Sequence, residues 1–153
     1  MIIKDMDDRV REQLTEVRGE IVVSRGNVHK LDRLPGYIAL ADGKIAGMIT
    51  YHIQDEECEI VSLDSKIENR GIGSALIEKV VEVAKTLNCK RVWLITSNDN
   101  IRAIRFYQKR GFDLAGIHLH AITEARKIKP SIPVVGYDQI PVKHEIEFEM
   151  RFS

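Results

Sequence analysis

Asn69-Arg70-Gly71-Ile72-Gly73-Ser74-Ala75-Leu76 is the stretch whose reading decides the fold. An apolar run, Ile60-Val61-Ser62-Leu63, and a polar segment, residues 64–68, precede it. Beyond it, Ile72, Leu76, Val80, Val83, Ala84 and Leu87 recur at helical spacing. A helix that starts near Gly71 leaves its first backbone N–H groups without intrahelical partners. Gly71 and Gly73 carry no Cβ, so a bulky anion can approach the main chain closely. The exposed N–H groups, the positive helix end and the Arg70 side chain together form an anion site. A phosphate or pyrophosphate is the expected ligand.

Three phosphate-binding loops compete for this segment. A P-loop closes its glycine run with Lys-Ser or Lys-Thr, and neither pair is present. A dinucleotide fold places a third glycine where Leu76 stands, and an acidic residue about twenty positions on. Lys90 and Arg91 occupy that region instead. The third loop is that of coenzyme A in the GNAT acetyltransferases, (Gln/Arg)-x-x-Gly-x-(Gly/Ala). The segment Glu68-Asn69-Arg70-Gly71-Ile72-Gly73 resembles it, with Glu68 where that family has Gln or Arg.

The chain of 153 residues suits one domain with one core, residues 1–153. Lys plus Arg is 23 and Asp plus Glu is 23, giving a formal net charge of zero. This argues against a nucleic-acid partner held by bulk charge. No apolar run approaches the ~20 residues that span a bilayer, so no membrane partner is expected. The first eleven residues lack a signal-peptide core. Cys58 and Cys89 are too few for a disulfide framework and have no metal-ligand spacing. Reduced thiols, a cytoplasmic location and no metal are the expectation.

In chain order, Met6, Val10, Leu14 and Val17 predict an amphipathic helix over residues 5–17. Residues 20–24 read as the first strand, and residues 25–35 as a loop with a helical turn. Residues 37–40, 44–53 and 57–63 read as three strands of an antiparallel meander. The turns between them are Ala41-Asp42-Gly43 and Gln54-Asp55-Glu56. The glycine-loop helix follows. Residues 90–96 then read as a buried strand reached by a right-handed parallel crossover. Ser97-Asn98-Asp99-Asn100 is an N-cap cluster for a helix over residues 101–110, ended by Gly111. A strand over residues 112–119, a short helix over 121–129 and a long loop over 131–141 come next. Residues 142–152 alternate as a strand. Ile146, Phe148, Met150 and Phe152 share one face, and Glu145, Glu147 and Glu149 the other.

A second motif carries the resemblance further. Asn98 to Phe112 contains Asn100, Ala103, Phe106, Tyr107, Gly111 and Phe112 in the pattern Asn-x-x-Ala-x-x-(Phe/Leu)-Tyr-x-x-x-Gly-Phe. This is similar to the second GNAT signature, and the two motifs stand in that family's order with a strand between them. The resemblance spans roughly residues 34–112 and includes the final alternating strand. It implies an α/β (α+β) GNAT fold: a mixed, mostly antiparallel sheet of six or seven strands, splayed at the centre and flanked by helices. It implies acetyl-CoA as co-substrate, lying where the strands ending near Leu63 and beginning at Lys90 part. The cofactor-binding candidates are Val61, Leu63, Asn69, Arg70, Gly71, Ile72, Gly73, Ser74, Asn100 and Tyr107. The main chain of residues 61–63, unpaired at the splay, would meet the pantetheine amides. Asn100 would reach the pantetheine arm, with Tyr107 near the thioester sulfur.

Acetyl transfer to an amine needs a base, since a lysine-like ammonium has a pKa of about 10.4. Tyr107 is the candidate acid for the departing sulfur. Glu57 and Glu59 share a strand face and are the candidate bases. His118, His120 or a main-chain carbonyl with ordered water are weaker alternatives. The row Glu145, Glu147 and Glu149 would draw a cation if it borders the acceptor cleft, and is otherwise a solvated face. The loop over residues 129–141 is long enough to border the acceptor site. Arg126, Lys127 and Lys129 would touch an anionic acceptor there or lie on the surface.

The expected function is N-acetyl transfer from acetyl-CoA to a small-molecule or peptide primary amine, by direct attack in a ternary complex. The alternative is a GNAT-like module that binds or senses acyl-CoA without turnover. Free sheet edges leave room for a homodimer.

Overall fold

The computed structural model describes residues 1–65 and 71–153. Its elements run β1 (Ile2–Asp5), α1 (Asp8–Arg18), β2 (Ile21–Ser24), β3 (Asn27–Lys30), β4 (Gly36–Ala41), β5 (Lys44–Gln54) and β6 (Glu57–Ser65). Then come α2 (Ile72–Thr86), β7 (Arg91–Ser97), α3 (Ile101–Lys109), β8 (Asp113–His118), α4 (Ala121–Ile128) and β9 (Glu145–Arg151). Seven strands form one mixed sheet in the order β1-β4-β5-β6-β7-β9-β8. Its one parallel junction lies between β6 and β7, which α2 connects. The four helices and the mostly antiparallel sheet agree with the fold class expected from the motifs.

Local chemistry explains the meander. Asp42 and Gly43 both take positive φ, as do Asp55 and Glu56. That is the backbone a two-residue hairpin needs to match strand twist. α2 turns its apolar stripe, Ile72, Leu76, Ile77, Val80 and Ala84, onto Cys58, Ile60, Val92, Leu94 and Phe148 of the sheet. α1 packs Val10 and Leu14 with Met6, Leu31, Ile38 and Met48 in a second cluster. Alternation along β6 and β7 puts Cys58, Ile60, Val92 and Leu94 on the α2 face. Glu57, Glu59, Arg91 and Trp93 therefore point to the opposite face.

The N-terminal quarter departs from the sequence reading. Residues 2–5 form β1, antiparallel to β4. α1 begins later than predicted, at Asp8, because the Asp7 side chain accepts from the Val10 N–H and caps it. Val17 is not part of the buried stripe and is 80% exposed. The strand predicted as first is β2. It lies outside the main sheet and pairs only with β3, inside the segment read as a loop. The helical turn expected there is present at Leu31–Arg33. No helix among the described residues is long and apolar enough to cross a membrane.

Candidate active site

The parting of β6 and β7 positions the site. Their pairing runs from Glu57 opposite Arg91 to Ile60 opposite Leu94, and stops there. At the same point β6 carries an extra residue, Val61, because Thr50 pairs with Ser62 while Tyr51 pairs with Ile60. A bulge bends the strand that bears it. Here the bend coincides with the splay. The Arg18 guanidinium crosses this region, donating to the Leu63 carbonyl at 3.1 Å and gripping both oxygens of Asp64 at 2.7 Å. One main-chain group of the segment expected to meet pantetheine thus already has a partner.

On the α2 face the splay opens into a cavity of about 420 Å³. Gly71, in the left-handed region at φ 72°, is the N-cap of α2, and no side chain among the described residues caps that helix end. The first intrahelical bond runs from the Ala75 N–H to the Gly71 carbonyl. The N–H groups of Ile72, Gly73 and Ser74 precede it and have no partner inside the helix. A Cβ on Gly73 would sit 3.1 Å from Phe106 Cζ, so the absent side chain is what lets α3 pack against this cradle. Leu63, Tyr107, Arg102, Arg105 and Arg110 also border the cavity, and among the described residues none that lines it is acidic. Arg110 lies 3.7 Å over the Phe106 ring and donates to Ser74 Oγ at 2.7 Å.

Of the predicted cofactor residues, Leu63, Gly71, Ile72, Gly73, Ser74 and Tyr107 meet here. Asn69, Arg70 and Glu68 lie outside the described residues. Val61 is not among the lining residues and packs with the α1 cluster. Asn100 does not line the cavity either. Its side chain accepts from the Ala103 N–H at 3.2 Å and caps α3. The three arginines were missed as site residues. The signal was available, since Arg102 and Arg105 are three apart, one helical turn, on the motif helix. Tyr107 is 9% exposed, edge-on to Phe106 and Phe112. Burial pushes its phenol up to about 12, with the nearby Arg18 charge working the other way.

The opposite face has its own cavity, about 410 Å³, whose lining includes Glu57, Glu59, Asp55, His29, His52 and Trp93. Three carboxylates line it against one guanidinium, that of Arg25. Glu59 is 4% exposed and takes a hydrogen bond from His29 at 2.9 Å. Glu57 is bound to the Arg91 guanidinium, which also reaches Glu147 at 2.7 Å and Glu149 at 3.1 Å. The glutamate row of β9 is therefore not a solvated face. Glu145 and Glu147 are buried beside the β2–β3 hairpin, where the Arg25 N–H donates to Glu145. His118 bonds Glu147 at 2.9 Å, whereas His120 stacks edge-on with His144 at the start of α4. In the loop after α4, Arg126 is spent on the Ile132, Pro133 and Val142 carbonyls. Lys127 pairs with Glu124, and Lys129 ties down the Arg18 and Ile21 carbonyls.

The two cavities lie on opposite faces of the sheet, one bordered by arginines and a helix N-terminus and the other by carboxylates. The acetyltransferase (GNAT) family model matches residues 4–112. The chain belongs to the GNAT acetyltransferase family. It is 48% identical over 130 residues to the uncharacterized protein YdhI of Bacillus subtilis (strain 168), covering 84% of this chain and 81% of that one. It is 31% identical over 86 residues to the L-amino acid N-acetyltransferase AaaT of Escherichia coli (strain K12), covering 52% and 53%. Its fold matches an acetyltransferase of Bacillus subtilis in complex with CoA at a TM-score of 0.73 and 18% identity, over 99% and 98% of the chains. It also matches a GNAT family acetyltransferase from Elizabethkingia anophelis with acetyl-CoA bound, at 0.73 and 19% identity over 99% and 97%.

Proposed function

We propose that the protein moves the acetyl group of acetyl-CoA to a primary amine by direct attack. The observation that carries this reading is the opposition of charge between the cavities on the two faces of the sheet. The α2-side cavity offers helix N–H groups that have no partner within the helix, together with the side chains of three arginines, which suit a diphosphate. The other cavity is lined by Asp55, Glu57 and Glu59, which suit an ammonium.

The residues fit an acetyl-CoA molecule whose diphosphate rests on the N–H groups of residues 72–74. Bound there, it supplies an activated acyl carbon. Tyr107, kept protonated by burial, gives its proton toward the departing sulfur. Glu59 is the base. Glu57 is the weaker candidate because Arg91 already holds it as an ion pair. Neither thiol serves as nucleophile. Burial pushes Cys58 up to about 12 and raises Cys89, which keeps both in the unreactive form. Buried free thiols also suit a cytoplasmic setting. The sensing-module alternative drew its support from Glu68, which lies outside the described residues.

Release of free CoA from acetyl-CoA, followed over a panel of amino acids, polyamines and amino sugars, tests the reading. Amine-dependent thiol release is expected. Tight acetyl-CoA binding with no release for any amine would favour the sensing module.

A further inference from the structure

We propose that His29 is a positioning residue for the base, holding the Glu59 carboxylate ready for the acceptor's proton. The inference rests on the acetyl-transfer reading and assigns a working role to the β2–β3 hairpin.

The hairpin has four residues per strand and belongs to no other sheet. A two-stranded ribbon of that size is marginal alone. On β3, Asn27, Val28 and Lys30 are exposed, and only His29 turns inward, at 8% exposure. Burying a polar ring costs free energy unless it is hydrogen-bonded. Its partner is Glu59 Oε1, 2.9 Å from Nε2. A carboxylate only accepts, so His29 presents Nε2–H to it. This engages one oxygen and leaves Oε2 as the acceptor for a substrate proton. His52, opposite Glu59 on β5, braces the His29 ring at a centroid distance of 5.0 Å. Both histidines and Glu59 line the acidic cavity, one residue short of where β6 leaves β7.

The proton account closes. Glu59 takes one proton from the ammonium, giving the neutral amine and a carboxylic acid. As the C–N bond forms and the C–S bond breaks, nitrogen sheds its second proton and sulfur gains one, through Tyr107. Glu59 then returns its proton to water in the cavity. One proton is released per turnover.

The groups facing Glu59 are His29 on β3, His52 on β5, Glu57 on its own strand, Trp93 on β7 and Arg25 in the hairpin turn. Glu145 on β9 lies further off. Removing His29 takes away a hydrogen bond that only the carboxylate form accepts, and the pH–rate profile of the variant reads that loss.

The test uses His29→Phe, which keeps a ring and loses the donor, and His29→Gln, which offers an amide N–H in its place. With the best amine of the panel, His29→Phe should lower kcat by roughly ten- to a hundredfold. KM for acetyl-CoA should stay unchanged and the acidic limb should rise. His29→Gln should recover most of the rate and the wild-type limb. Proton NMR of the free protein should show a hydrogen-bonded His29 Nε2–H that disappears in Glu59→Ala. The proposal is overturned if that proton survives Glu59→Ala. It is also overturned if His29→Phe turns over like wild type, or if His29→Gln is no better than His29→Phe while both bind acetyl-CoA in calorimetry. Absence of thiol release by wild type with every amine would overturn the transfer reading itself, and the NMR result separates that failure from loss of the His29–Glu59 contact.

Discussion

Glu145 and Glu147 stand two positions apart on one face of β9, both buried, and their carboxyls are pushed in opposite directions. Burial raises Glu145, which is 2% exposed and among the described residues has the Arg25 N–H as its direct donor. Burial also acts against Glu147, but hydrogen bonds from Arg91 and His118, with the Arg25 charge, outweigh it and hold Glu147 low.

Substituting each by Gln should therefore change stability with opposite sign. An unfolded Glu145 ionises near 4.5, while the native one keeps its proton longer. Stability from this group is lost as pH rises through the raised native value. Glu145→Gln should equal or exceed wild type at pH 7, and the difference should vanish in acid. Glu147→Gln strands part of the Arg91 charge and should cost about 2–3 kcal/mol. Its penalty should shrink as acid protonates the wild-type carboxylate. Urea unfolding at several pH values reads both.

Tyr107→Phe should lower turnover by ~10²–10⁴ if the phenol is the acid. The ring packing against Phe106 and Phe112 is retained, so unfolding free energy should move by less than about 1 kcal/mol. With the wild-type phenol near 12, no loss of rate from its ionisation should appear below about pH 11. Rate, thermal unfolding and a pH profile on the same preparations check these.

Gly47 controls how closely α2 approaches the sheet. A Cβ there would lie 2.7 Å from Ile72 Cγ2 and 2.9 Å from the Asp64 carbonyl. Gly47→Ala should displace the start of α2, costing about 1–3 kcal/mol. Calorimetry should show weaker acetyl-CoA binding in the same variant, since Ile72 begins the helix that forms the cradle.

Arg105 borders the cavity on the α2 face. Arg105→Ala should weaken acetyl-CoA roughly tenfold through loss of a charge-assisted contact. Wild-type affinity should fall as salt rises, and the variant's should fall less steeply. The apparent KM for the amine should not change.

The central half of the fold was legible because its signals are local. Helical spacing gave α2, the Asn100 cap gave α3, and turn residues gave the β4–β5–β6 meander. β1 and β3 were missed because each is four residues long and gains its order from a partner strand. The buried glutamates were missed for a related reason. Period-two alternation set Glu145 and Glu147 on one face, but their cover comes from a hairpin some 120 positions away in sequence. Of the residues that border the two cavities, the glycine loop and Tyr107 are legible from motifs, and Glu57 and Glu59 are indistinguishable by sequence. Arg91 separates them in space by engaging Glu57 and leaving Glu59 to His29. No single stretch of chain encodes that difference in partners.

Under the proposed function, a sheet with a cavity on each face sets how the two substrates come and go. On the proposed reading, thioester and amine load from opposite faces of the sheet, so neither would bar the other's entry and either order of loading would be open. Spent CoA would then leave the way it came without crossing the path of the acetylated amine. Product inhibition by CoA should then be competitive against acetyl-CoA and noncompetitive against the amine.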